Sequence, residues 1–197
     1  MSKPLLAILI PTIDGREHFL EKLLHVLQPQ KEKYSDNVII LIDKDNRERI
    51  IGEKRNNLTQ AAVKVGATHR AFIDDDDTVT DDYLDLNMPG VFGDYDCNSL
   101  VGIYSLNGIT NPKKHIFLHS LKYTHWYEDD EYYFRNPNHL NVVKLSLIAD
   151  IEFPSTSFGE DGQWSEKLAK ANVLKTEYDI TKPFYNYLSR TKDSNGI

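Results

Sequence analysis

The chain has 197 residues, 40% of them hydrophobic and 27% charged, with a formal net charge of −7. That is enough chain for one sizeable core of ordinary soluble composition, without the basic face that duplex nucleic acid demands. A single cysteine, Cys97, excludes an internal disulfide framework and suits a reducing, cytoplasmic setting, and no run of apolar residues has the length of a membrane span.

Residues 5–10 form a continuous apolar run, the pattern of a strand buried on both faces of a parallel sheet. Asp14 followed by Glu17 predicts a helix start with a capping partner; Leu20, Leu23, Leu24 and Leu27 then recur at helical spacing, with Pro29 just beyond. A second buried strand is expected over residues 38–42, ending at Asp43. Leu58, Ala61, Ala62 and Val65 mark a second amphipathic helix with Gly66 as terminator, and residues 70–73 form the third strand. The βαβαβ order predicts a parallel sheet flanked by helices, with ligands bound outside the carboxyl ends of its strands. Thr12, Asp43 and the residues after Ile73 therefore share one rim.

Ile73 leads directly into Asp74-Asp75-Asp76-Asp77. Adjacent carboxylates raise one another's pKa, and a hard divalent cation, Mn²⁺ or Mg²⁺, compensates them best because it prefers oxygen ligands shared with substrate phosphates. A solvated acidic turn capping a helix is the alternative.

The second half is less regular. Strands are expected over residues 100–104, 115–121, 141–148 and 173–178. An aromatic and acidic segment at 126–133 reads as a mobile loop over an acceptor or as an exposed hairpin tip. Phe158-Gly159-Glu160-Asp161 precedes a helix carrying Trp164, Leu168 and Ala171, where the two acids favour the helix dipole. His115, His119, His125 and His139 lack zinc-ligand spacing.

These segments, in this order, resemble a family 2 glycosyltransferase with the GT-A fold. Ile8-Leu9-Ile10-Pro11-Thr12 resembles that family's first strand and the turn meeting the donor base. Asp43 matches the acid that holds the base or ribose, and Lys54-Arg55-Asn56 the segment before the metal strand. Phe72-Ile73-Asp74-Asp75-Asp76-Asp77 matches the strand and DXD-type motif, and Gly159-Glu160-Asp161 the acceptor-side Glu-Asp motif. The tail over residues 185–194 resembles the Tyr/Arg/Ser segment that folds over the diphosphate. Asp43-Lys44-Asp45-Asn46 departs from the commoner Asp-Asp-Gly-Ser, and no Gln-x-x-Arg-Trp of processive synthases occurs.

The resemblance implies one GT-A domain over residues 1–197, with a nucleotide-sugar-binding half at 1–95 and an acceptor half at 96–197. The expected architecture is a Rossmann-like, mostly parallel central sheet flanked by helices, with a small antiparallel acceptor-side region. The implied activity is metal-dependent transfer of one sugar from a UDP-sugar to an acceptor hydroxyl of a glycan or other carbohydrate-bearing molecule, with inversion. Asp161 is the implied catalytic base, with Glu160 as fallback. Pro11, Thr12, Asp43, Asp74 and Asp75 are implied nucleotide contacts, and Asp76 and Asp77 metal ligands.

Arg55 and Arg190 suit a diphosphate because a guanidinium fork matches phosphate oxygens; a surface helix arginine is the other account of Arg55. Trp126 and Trp164 are candidate acceptor-binding residues; Trp164 would stack on a sugar ring or is, equally, a core residue. Two further functions fit parts of the pattern. Asp74-x-Asp76-x-Thr78-Val79 matches the nucleophile motif of haloacid-dehalogenase-type phosphatases, which normally lies on the first strand. A non-catalytic nucleotide- or metal-binding module would use the same acids.

Overall fold

The computed structural model describes residues 3–190; of the tail segment, residues 191–194 lie outside it. Two six-stranded sheets and four α-helices make up the described chain. β1 (Leu6–Ile13), β2 (Val38–Asp45) and β3 (His69–Phe72) run parallel with β1 in the middle. β4 (Thr78–Val79), β5 (Cys97–Asn98), β6 (Leu100–Leu106), β7 (Ile116–His119), β8 (Tyr127–Glu128), β9 (Tyr132–Arg135), β10 (Val143–Lys144), β11 (Glu177–Tyr178) and β12 (Tyr185–Ser189) complete the sheets. The first sheet has the order β11-β5-β10-β3-β1-β2, mostly parallel, and the second β4-β12-β6-β7-β9-β8.

The apolar run of β1 explains its central place. Leu6, Ala7, Ile8, Leu9 and Ile10 are all fully buried, and the two-residue side-chain period sends them alternately to opposite faces. Leu6, Ile8 and Ile10 pack with Leu23 and Leu27 of α1 (Glu17–Lys33) and with Leu84, Met88 and Val91 of α3 (Tyr83–Phe92). Ala7 and Leu9 pack with Leu58 and Ala62 of α2 (Ile51–Lys64) and Trp164 and Leu168 of α4 (Glu160–Ala171). Each large aliphatic side chain so buried contributes about 1.5–3 kcal/mol before entropic costs. Phe117 and Tyr185 of the second sheet join the first of these clusters, so the sheets share one core.

Several local expectations need correction. α1 begins after Arg16 with no side-chain cap, because Asp14 and Glu17 both turn to Lys44. It also continues through Pro29; the Gln30 amide donates to Val26 O at 3.0 Å, adding a bond in the turn where proline has no N–H to give. The strands expected at 141–148 and 173–178 shrink to two residues each. The second sheet is neither small nor antiparallel throughout, since β12 pairs parallel with β6 and β7 with β9. β4 and α3 were not anticipated.

Two features set α4 at the end of the first sheet. A side chain at Gly52 would bring its Cβ to 2.0 Å from Pro154 O, so glycine lets α2 meet the 153–156 backbone. The Asn56 amide then donates to Phe153 O at 2.9 Å while its carbonyl accepts from Phe153 N at 2.8 Å. Gly159, at φ 74, makes the left-handed turn into α4.

Candidate active site

A cavity of about 920 Å³ opens where the carboxyl ends of β1 and β3 face the second sheet and the start of α4. Parallel register brings the ends together: Leu9 pairs with both Leu41 and Phe72, and Pro11 with Asp43. The cavity wall includes Pro11, Thr12, Asp74, Asp75, Asp76, Glu160 and Asp161 from the first sheet and its helices, and Tyr104, Tyr133, Arg135 and Tyr187 from the second.

The four aspartates have four different environments. Asp74 lies 3.0 Å from Arg55 Nη2 and 3.6 Å from His139 Nε2. Burial opposes its ionisation, but the Arg55 charge and then His139 hold it well below the usual carboxylate range. Asp75 accepts from the Thr12 hydroxyl at 2.5 Å and sits 2.7 Å from Arg16; burial pushes its pKa up nonetheless. Asp76 is ion-paired to Arg16 at 2.7 Å and Arg190 at 3.0 Å. Asp77 turns away from the cavity, accepting from the Tyr185 hydroxyl at 2.7 Å and from Leu188 N at 2.8 Å. Burial and the nearby Asp74 charge push it well above the carboxylate range.

Cations interleave with these acids. Arg55 is buried, its Nε 3.3 Å from Glu160 and its Nη2 on Asp74, so it ties α4 to the end of β3; the surface-arginine account of it fails. Arg16 spans Asp75 and Asp76 by proximity of charge, its Nη2 lying off the line for a hydrogen bond to either. Lys54, also buried, bonds Thr12 O and Asp45 at 2.5 Å each, joining the ends of β1 and β2. The imidazole of His139 is pushed towards its neutral form by burial and by Arg55.

Pro11, Thr12, Asp74, Asp75, Asp76, Arg55, Glu160, Asp161 and Trp126 thus line one cavity, with Arg190 bound to Asp76. Three expected site residues do not. Asp43 has both oxygens engaged by Arg49, at 2.6 and 2.8 Å, and Arg49 rather than Asp43 faces the cavity. Asp77 is committed to Tyr185 and Leu188 of β12. Trp164 is fully buried: its indole donates to Ile151 O at 2.8 Å, it stacks on Phe153, and the buried Arg70 guanidinium lies 4.5 Å from its ring. It belongs to the core.

Sequence reasoning missed Arg16, Arg135, His139, Tyr185 and Tyr187. Arg16 sits inside the expected helix start, whose pattern rests on Asp14 and Glu17 and gives no role to the arginine. Arg135 and His139 lie at and just beyond the end of β9, and Tyr185 and Tyr187 on β12, strands placed by pairing with distant segments such as β6. Only the position of Tyr185 and Tyr187 in the tail segment gave a signal.

For a divalent cation, Asp76 is the carboxylate that fits. It lines the cavity with hard oxygen donors, and its present partners are guanidinium groups rather than backbone. Among the described residues no three His, Cys, Asp or Glu side chains converge as a ligand set. An ion here would need phosphate oxygens and water as its other ligands, the usual Mg²⁺ pattern.

No family model matches the chain, and no curated protein does. Among solved structures, S. aureus TarS 1-349 in complex with UDP-GlcNAc superposes with a TM-score of 0.60 at 15% identity, over 98% of this chain and 62% of that one. TarS 1-349 in complex with UDP gives 0.60 at 16%, over 93% and 60%. A197 from STIV gives 0.51 at 13%, over 90% and 82%. The chain spans about three fifths of the TarS structures' length. These likenesses show the fold: the chain has the GT-A fold, as TarS does. Among the described residues no helix is long and apolar enough to cross a membrane.

Proposed function

We propose that the cavity binds a nucleoside diphosphate sugar, UDP-linked, and that the chain transfers its single sugar to an acceptor hydroxyl with inversion. The observation that carries this proposal is the alternation of Asp74, Asp75 and Asp76 with Arg16, Arg55 and Arg190 at the sheet's carboxyl edge. Carboxylates there suit a ribose or a cation, and guanidinium groups suit a diphosphate. The GT-A fold and the UDP and UDP-GlcNAc carried by the TarS structures point the same way.

In the transfer, an acceptor oxygen attacks the anomeric carbon and the bond from that carbon to the diphosphate oxygen breaks. UDP departs with the bonding electron pair, and the acceptor's proton passes to Asp161, with Glu160 committed to Arg55. Arg16 and Arg190, released from Asp76, turn to the departing diphosphate. Asp76 would hold a Mn²⁺ or Mg²⁺ ion, which would supply Lewis-acid charge to the leaving diphosphate.

A thermal-shift titration with UDP, with and without Mn²⁺, tests this, because a ligand of the native state raises apparent stability by mass action. The expected result is a metal-dependent UDP shift that disappears in Asp76→Asn. An equal shift in that variant removes the metal assignment; no shift of the wild type with UDP overturns the donor proposal.

A further inference from the structure

The cavity's charged side chains are largely matched. Arg16 has Asp75 and Asp76, Arg49 has Asp43, Arg55 has Asp74 and Glu160, and Lys54 has Asp45. Arg135 differs. It ends β9, lines the cavity, and is only partly exposed. Its charge feels Asp161 most favourably but makes no ion pair or hydrogen bond with it. Its defined neighbour is an aromatic ring: the guanidinium carbon lies 4.3 Å from the Trp126 ring centre. Trp126 is fixed in turn by its indole N–H to Ser165 Oγ at 3.3 Å, and that hydroxyl donates to Pro137 O at 2.9 Å.

A partly desolvated guanidinium that no carboxylate contacts is less fully compensated than those paired at the acidic rim. Burial here already disfavours its charged form. Arg135 stands on the second sheet within the field of Asp161, whereas Arg16 and Arg190 are the guanidinium groups that hold Asp76. A donor diphosphate is therefore served by other cations, and Arg135 is left for the acceptor.

Resting on the glycosyl-transfer proposal, we infer that Arg135 selects an acidic saccharide acceptor, pairing with a carboxylate or phosphate group on it while the accepting hydroxyl meets Asp161. The planar fork of guanidinium nitrogens fits either anion with two parallel hydrogen bonds.

The test uses glucose, glucuronate and glucose 6-phosphate as probes of equal ring and different charge. Binding to the full chain is read by ligand-observed NMR in saturating UDP and Mn²⁺. An acidic probe should bind about tenfold or more tighter than glucose, as a charge-assisted hydrogen bond predicts; the glucuronate and glucose 6-phosphate arms tell carboxylate from phosphate. Arg135→Gln should erase that preference while leaving the UDP-induced thermal shift intact, and Arg135→Lys should restore part of it.

Three results overturn the inference: glucose binding as well as both acids, none of the three probes binding, or Arg135→Gln weakening neutral and acidic probes equally, which would make Arg135 a support for Trp126. A wild-type protein with no UDP shift overturns the donor proposal instead, so the two failures are distinguishable.

Discussion

The Tyr185 hydroxyl donates to Asp77 across 108 positions of sequence, at 2.7 Å and wholly inside the protein. This contact makes the last described strand part of the acidic turn. Leu188 N holds the other oxygen of the same carboxylate, so β12 is moored to the turn at two points.

Tyr185→Phe is therefore expected to cost about 1–3 kcal/mol, the penalty for leaving a buried polar partner unsatisfied, measured by denaturant unfolding. Asp77 adds a pH dependence. Its folded-state pKa is raised above the ordinary 3.8 by burial and by Asp74, so the folded protein holds that proton more tightly than the unfolded chain. The stability it contributes is full below the ordinary value and is lost as pH rises towards the folded one. Relative to Asp77→Asn, which cannot titrate, the wild type should lose stability as pH rises above about 4. Parallel stability curves for the two proteins would refute this.

Arg16 joins Asp75 to Asp76 without ideal hydrogen-bond geometry to either, as suits a group that exchanges partners. Arg16→Gln should unfold at nearly the wild-type temperature yet bind UDP about tenfold or more weakly, the loss of one charge-assisted contact to phosphate. Calorimetric titration with UDP checks it. Unchanged affinity would leave Arg16 as a structural bridge only.

The β1, β2 and β3 part of the first sheet was legible because each of these strands carries a short apolar run that ends in a polar residue. Thr12 and the Asp74–Asp76 carboxylates follow directly from that rule. Asp43 obeyed the same rule and still misled, because Arg49, a residue of no evident periodicity, folds back onto it. The four identical aspartates could not be ordered from sequence: their roles differ through Thr12, Arg16, Arg55 and Tyr185, which are 19 to 108 positions away along the chain from the carboxylates they touch. The second sheet was half-visible for a similar reason. Strands of two residues such as β4 and β8 carry no period of their own and exist only through their partners.

The two tryptophans offer the sharpest contrast. Trp164 is sealed between Phe153 and the Arg70 guanidinium, whereas Trp126 borders the cavity and is about one third exposed. Trp164→Ala should cost about 3–5 kcal/mol, the range for truncating a buried aromatic, and any loss of UDP binding should follow the unfolded fraction. Arg70 adds to that cost by losing the ring face that screens it; its pKa is already pushed down to about 9 by burial and by Arg55. Trp126→Ala should leave the unfolding midpoint closer to wild type and UDP affinity unchanged, since its contacts are Ser165 and Arg135 rather than the acidic rim. Its loss should instead weaken the second, sugar-accepting ligand. Equal destabilisation by the two substitutions would mean that Trp126 is a core residue too, and that the cavity ends short of the second sheet.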